Sequence, residues 1–246
     1  MSLLLTVLAL TVGLHQCVGN EQHDAAFSAL ATDLPNTQEE IVAKHNDLRR
    51  HVEPPASNML KMEWNVTAAN NAKSWANECI YTHSPQSKRT IENNVICGEN
   101  LFYSSVPKTW SEAIQAWFDE KADYIYGHGP KKENAVIGHY TQLVWYKSYM
   151  IACAVAKCAH ELYQYFYVCH YCPAGNVLGE NFYKPYKEGK PCGDCPNACD
   201  AGLCTNPCQQ EDWFSNCGRL KELHTCQHPI IKKSCPACCQ CTTEIQ

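Results

Sequence analysis

The chain of 246 residues carries 18 cysteines, a load far above ordinary globular usage. Reducing compartments do not reward so many thiols, so most cytosolic enzymes are excluded. Twenty Lys+Arg against 25 Asp+Glu leave a net charge of −5, without the basic face that nucleic-acid binding demands.

The apolar run 2–14, SLLLTVLALTVGL, has the length of a signal-peptide core, and Cys17, Val18 and Gly19 supply small residues for cleavage. Residues 1–19 are therefore expected as a signal peptide, with the mature start near Asn20. The run lacks a preceding Lys or Arg, and a buried N-terminal helix is the alternative. No later stretch reaches membrane-spanning length, so an exported protein without a transmembrane segment is expected.

Thr37-Gln38-Glu39-Glu40 reads as a capping box, with Ile41, His45 and Leu48 following at helical spacing. Asn65-Val66-Thr67 is the one permitted Asn-x-Ser/Thr sequon, which makes Asn65 a glycosylation candidate in an exported chain. A second helix is expected from Thr67 to Cys79, with Ala68, Ala72, Trp75 and Ala76 on one face. The third opens on the box Thr109-Trp110-Ser111-Glu112 and points Ala113, Ile114 and Trp117 inward. Glu120 falls on that same apolar stripe, so its carboxylate either lines a cleft or reaches solvent at the stripe's edge. Three β-rich segments follow: Tyr140 to Trp145, Met150 to Val155 and Tyr163 to Tyr171. Helices first and strands afterwards predict an α+β layer fold.

After residue 172 the composition changes. Removing Cys17 leaves 17 cysteines, of which six lie in residues 20–172 and eleven crowd into 173–246. The first part can bury its own core, whereas the second needs covalent staples. Between them, Pro173 to Asn176 and the Pro/Gly-rich stretch Lys184 to Pro196 read as a turn-rich hinge. Zinc is the rival reading for Cys169-x-x-Cys172 and Cys192-x-x-Cys195, but an oxidising compartment favours disulfides. Cys208 opens a six-cysteine module continued by Cys217, Cys226, Cys235, Cys239 and Cys241, which leaves Cys238 over. A surplus thiol points to a disulfide-linked dimer, to capping by a small thiol, or to a buried free cysteine.

Two long segments carry a resemblance: Gly138-His139-Tyr140-Thr141-Gln142-Leu143-Val144-Trp145, and Tyr165 to Asn176 with its Cys169-His170-Tyr171-Cys172-Pro173-Ala174-Gly175-Asn176 end. Together with Cys97-Gly98-Glu99-Asn100-Leu101 and His45-Asn46-x-Leu48-Arg49, the chain resembles the CAP superfamily. Its tail, including Gly202 to Cys208, is similar to one branch, the cysteine-rich secretory proteins, and its sequence is most like mammalian reproductive-tract members. The resemblance implies an N-terminal extension over 20–37, an α-β-α sandwich over 38–176 and a disulfide-bonded hinge over 177–207. It further implies a helical module similar to sea-anemone channel toxins over 208–241, then a C-terminal tail at 242–246. It also implies the pairs Cys192–Cys199, Cys195–Cys204, Cys208–Cys241, Cys217–Cys235 and Cys226–Cys239. Pairing of the six earlier cysteines stays open.

The family cavity, carried over, consists of His83, Glu99, Glu120 and His139. Two imidazoles can take a divalent ion such as Zn2+ without serving catalysis, and a metal-free polar cluster is the alternative. The resemblance implies a non-catalytic secreted protein needing no cofactor, with receptors on sperm or egg and ion channels as partners. A venom- or granule-type channel blocker or defence protein is the other member of that class. Trp213, Phe214, Lys221, Lys232 and Lys233 are the candidate channel contacts, against ordinary surface charge and core aromatics. Seven basic and eight acidic residues in 173–246 argue for a modulator rather than a cationic pore plug. A metal-dependent hydrolase is the competing class. Ser84 beside His83 lacks a glycine-flanked elbow, and His160-Glu161-Leu162-Tyr163-Gln164 puts Gln where a zinc protease needs its second His.

Overall fold

The computed structural model describes residues 21–159, 162–177, 182–214 and 216–246. The expected signal peptide and the His160-Glu161 pair lie outside the described residues.

After a helical stretch over 21–28, helix α1 spans Pro35–Arg50 and starts two residues before Thr37. Pro35 occupies the first turn, where its fixed φ suits the helix and its missing N–H costs nothing. Thr37 therefore lies inside the helix, Leu34 is the N-cap without a side-chain bond, and the capping box expected there does not form. The same motif does form at Thr109, where the helix starts after Thr109 although Pro107 stands two residues upstream. Thr109 Oγ1 accepts from Glu112 N at 3.2 Å and Glu112 Oε2 accepts from Thr109 N at 2.8 Å, opening α3 over Trp110–Asp119. Between these helices lie β1 (Glu63–Trp64), α2 (Val66–Glu78) and β2 (Gly98–Ser104). Asn65 is the N-cap of α2, its Oδ1 accepting from Ala68 N at 2.8 Å, and Cys79 closes the helix in left-handed conformation.

The short strands β3 (Tyr124–Ile125) and β4 (Gly129–Pro130) pair with each other. Next comes α4, Gly138–Leu143, where the aromatic and β-branched content of Tyr140–Trp145 predicts a strand. Tertiary bonds overrule that propensity. The Glu120 carboxylate accepts from the backbone N–H of His139 and Tyr140 at 3.0 and 3.1 Å, satisfying the helix start. The long strands β5 (Met150–Lys157) and β6 (Tyr165–Cys172) then form the centre of a sheet ordered β1-β5-β6-β2. Only β1 and β5 run parallel.

Every residue of β6 is buried, as a strand covered on both faces must be. On one face Ala72, Trp75 and Ala76 of α2 pack against Leu101, Ala154, Phe166 and Val168. On the other, Ile41 and Leu48 of α1 join Ile114 and Trp117 of α3 over Ile151, Tyr167 and Tyr171. The result is an α-β-α sandwich. Three bridges reinforce it: Cys79–Cys158, Cys97–Cys172 and the cross-strand Cys153–Cys169. Neither Cys169 nor Cys172 is available to a metal.

The hinge lies packed along the large domain. Cys204 N donates to Met59 O and Lys61 N to Cys204 O, both at 2.8 Å, and Tyr146 N donates to Pro185 O at 2.8 Å. Within it β7 (Cys199–Asp200) pairs with β8 (Leu203–Cys204). The tail module contains α5 (Cys217–His224), α6 (Pro229–Ser234) and α7 (Pro236–Gln240). Its small interior is built from Cys217, Ile231 and Cys235 and from Cys208, Ala237 and Cys241, so the staples are also the core. Tail bridges join Cys192–Cys199, Cys195–Cys204, Cys208–Cys241, Cys217–Cys235 and Cys226–Cys239, the same pairs the resemblance implies. Residues 242–246 form a strap: Ile245 N donates to Asn206 O and Cys208 N to Ile245 O, both at 2.9 Å. Tyr146 of the large domain donates its hydroxyl to Gln246 O at 2.6 Å.

Candidate functional site

The four carried-over residues fall into two His–Glu pairs, one of them anchored on the edge strand β2 by Glu99. In the first, Glu99 Oε1 accepts from His83 Nδ1 at 2.8 Å and from Ser84 N at 2.9 Å. Its Oε2 accepts from Ser84 Oγ at 2.7 Å and from His170 Nε2 at 3.1 Å. Burial alone would raise this carboxyl, but hydrogen bonds from His170, His83 and Ser84 outweigh it and hold Glu99 well below the usual carboxylate range. Glu99 is 1% exposed while His83 is 61% exposed, so a fixed anion presents a solvent-facing imidazole.

In the second pair, Glu120 ends α3 and its Oε1 accepts from His139 Nδ1 at 2.6 Å. Its other oxygen holds the start of α4, so one side chain both builds that helix and orients the imidazole. The carboxylate is 17% exposed and is held by these bonds. The His139 ring lies nearly parallel to Trp117, with centroids 6.4 Å apart. Consecutive residues of β2 serve the two pairs: Glu99 holds His83, and Asn100 Nδ2 donates to His139 O at 3.0 Å.

Both histidines thus spend Nδ1–H on a carboxylate, which fixes the tautomer and leaves Nε2 with its lone pair. That arrangement suits a metal ligand, since a carboxylate behind an imidazole raises its basicity. No three His, Cys, Asp or Glu side chains gather as a metal-holding group among the described residues. The chain would supply two imidazoles, and water the remaining positions. Ser84 is buried and its hydroxyl donates to Glu99, a carboxylate held well below the usual range and so a weak base for activating it.

The two signature segments interlock behind this site. Gly175 N donates to Gln142 Oε1 at 3.0 Å, and Thr141 Oγ1 donates to Asn176 Oδ1 at 2.7 Å. A Cβ at Gly98 would collide with the Gln142 carboxamide, and one at Gly175 would lie 2.7 Å from both Gln142 Nε2 and Trp145. Both glycines are there for close approach.

Sequence reasoning passed over His170 as a site residue. It lies directly opposite Glu99 in the β2–β6 register, fully buried, with Nδ1 unpartnered. Its position inside the expected strand Tyr163 to Tyr171 was the available signal, but its partner is fixed only by the pairing register.

On the tail module Trp213 is 64% and Phe214 48% exposed. Lys233 Nζ lies 5.8 Å from the Trp213 ring centroid, a cation beside an aromatic on a stapled frame. Lys232, on the same helix, is exposed, whereas Lys221 donates to Cys238 O. Cys238 is the free cysteine among the described residues and is half-buried. Burial, with the Asp212 carboxylate that accepts from its backbone N–H at 3.2 Å, pushes the thiol up to about 11. The sequon residue Asn65 is half-buried, and its Nδ2 lies 3.3 Å from Met150 Sδ.

The comparisons agree with this anatomy. A family model described as the cysteine-rich secretory protein family matches residues 42–171, and one described as Crisp matches 192–246. The chain is 54% identical to human cysteine-rich secretory protein 3, over 92% of this chain and 91% of that one. It is 51% identical to the cysteine-rich venom protein helothermine of Heloderma horridum horridum, over 100% of both. Among solved structures it is similar to NaASP2 with Zn2+, at 29% identity and a TM-score of 0.57, covering 70% of this chain and 96% of that one.

Proposed function

The chain belongs to the cysteine-rich secretory protein family, and from that premise we propose an exported, non-catalytic protein that binds cell surfaces and modulates ion channels. Its setting would be sperm maturation and gamete interaction, with receptors on sperm or egg. The observation that carries the channel part is the exposed pair Trp213 and Phe214 with Lys233 beside Trp213, on a module closed by three disulfides. The full-length likeness to a venom protein supports it, and balanced tail charge favours modulation over pore plugging. Full-length protein is expected to alter a calcium-permeable current recorded from sperm. Trp213→Ala with Phe214→Ala should remove most of that effect while leaving the fold intact. No effect of the unaltered protein on any such current would sink the reading.

Absence of catalysis is supported by Ser84, whose hydroxyl serves Glu99. For the paired imidazoles we favour a weakly held divalent ion, supported by both Nδ1 atoms being tied to carboxylates. His83→Ala with His139→Ala should remove one equivalent of Zn2+ uptake by calorimetry, and unchanged uptake would place the ion elsewhere. A glycan on Asn65 would have to be attached before β5 packs, because Nδ2 then faces Met150.

Cys238 is expected to stay a thiol rather than join two chains. At neutral pH its thiolate fraction is on the order of 10⁻⁴, so native alkylation should run roughly 100-fold slower than for an unperturbed cysteine. Mass spectrometry after denaturing alkylation should find one modified site per chain. A non-reducing dimer lost on Cys238→Ser would overturn this.

A further inference from the structure

We propose that His224 and His228 form a second divalent-metal site, a two-imidazole clip for zinc on the tail module. The helix α5 ends at His224, and the backbone reverses through Thr225 at φ 59° before α6 begins at Pro229. That reversal is pinned twice. Thr225 N donates to Lys221 O at 2.9 Å, and Cys226, midway between the histidines, is bridged to Cys239. The turn therefore holds the two rings side by side, with centroids 5.9 Å apart and planes inclined by 52°.

Those numbers suit a shared ion. With Zn–N near ~2.1 Å, each ring centroid stands about 3.2 Å from the metal, and a tetrahedral angle separates the centroids by about 5.2 Å. The observed spacing closes to that value by small rotations of two exposed side chains. Inclined planes, unlike stacked ones, allow a nitrogen of each ring to face a common point. Neither ring has a hydrogen-bonding partner among the described residues, so their lone pairs are uncommitted. Imidazole nitrogen suits zinc, and water would complete the shell, since no third His, Cys, Asp or Glu joins them. The ion's charge would add to Lys232 and Lys233 on the adjoining helix, giving a balanced module a locally cationic face.

The site is distinct from the cavity pair and does not depend on it. The test uses full-length protein titrated with ZnCl2 by calorimetry and by histidine-resolved NMR, in a His83→Ala/His139→Ala background. One remaining equivalent should bind, shifting the His224 and His228 ring resonances together. His224→Gln alone should weaken it by about 100-fold, because a chelate loses its second arm. His224→Gln/His228→Gln should abolish it without changing the circular dichroism. No uptake in that background, or uptake that leaves these two resonances unmoved, would overturn the proposal.

Discussion

Replacing Arg49 with alanine or leucine is expected to destabilise the protein by ~3–5 kcal/mol, the largest single-residue effect in the large domain outside its bridges. Arg49 is 1% exposed. Its Nε and Nη2 donate to Leu60 O at 3.0 and 2.7 Å, and Nη1 donates to Leu143 O and Trp145 O, both at 2.9 Å. Nη2 also donates to Tyr146 O at 3.1 Å. One side chain of α1 thus holds the segment before β1 and the chain leaving α4. Burial pushes the guanidinium down to about 9. It nevertheless stays charged at neutral pH, and carbonyl dipoles stand in for a counter-ion. Leucine would remove the charge but strand those carbonyls in the interior. Lysine would keep the charge but lacks the planar fork, so it should recover only part of the loss. Urea unfolding followed by circular dichroism measures this directly. A leucine variant within about 1 kcal/mol of the unaltered protein would contradict the assignment.

Acidification should weaken the fold well before its carboxylates titrate. His45 is fully buried, with Nδ1 on Ile41 O at 2.8 Å and Nε2 on the Tyr171 hydroxyl at 3.0 Å. Burial is the main cause that lowers its pKa to about 4, and nearby Arg49 and Lys44 act in the same direction. An unfolded chain binds this proton at pH 6.5 and below, while the folded one refuses it until about pH 4. Stability is therefore complete above pH 6.5 and lost as pH falls through that window, by about 2 kcal/mol at pH 5 and about 3 kcal/mol at pH 4. Glu99 adds its own loss only below the ordinary glutamate range, because its folded pKa is depressed. Unfolding at pH 7 and pH 5 separates the two. His45→Gln should flatten the curve between those values, and an equally steep curve in that variant would assign the proton elsewhere.

Local rules were legible wherever local bonds decide. The Thr109 box, the inward stripe Ala113, Ile114 and Trp117, and the strands around Met150 and Tyr165 follow from spacing alone. The same rules misled at Thr37, where Pro35 starts the helix earlier, and at Tyr140, where Glu120 supplies helix-start acceptors from another element. Strand β2 was not read as a strand, since Glu99 and Asn100 are poor strand formers; both are tied by side-chain bonds across the fold.

By itself the sequence determined the partition of this protein: a domain able to bury its own core, and a tail in which ten bridged cysteines must do that work. With Cys17 set aside the odd count also required one unpaired thiol, and the tail spacing singled out Cys238. Only the tertiary structure decided which side chains complete the site. His170 reaches Glu99 across 71 residues, and Arg49 reaches Trp145 across 96, through strand register and helix packing. The reason is physical: composition and periodicity encode which surfaces leave water, but a buried hydrogen bond between distant residues is set by how those surfaces are laid together.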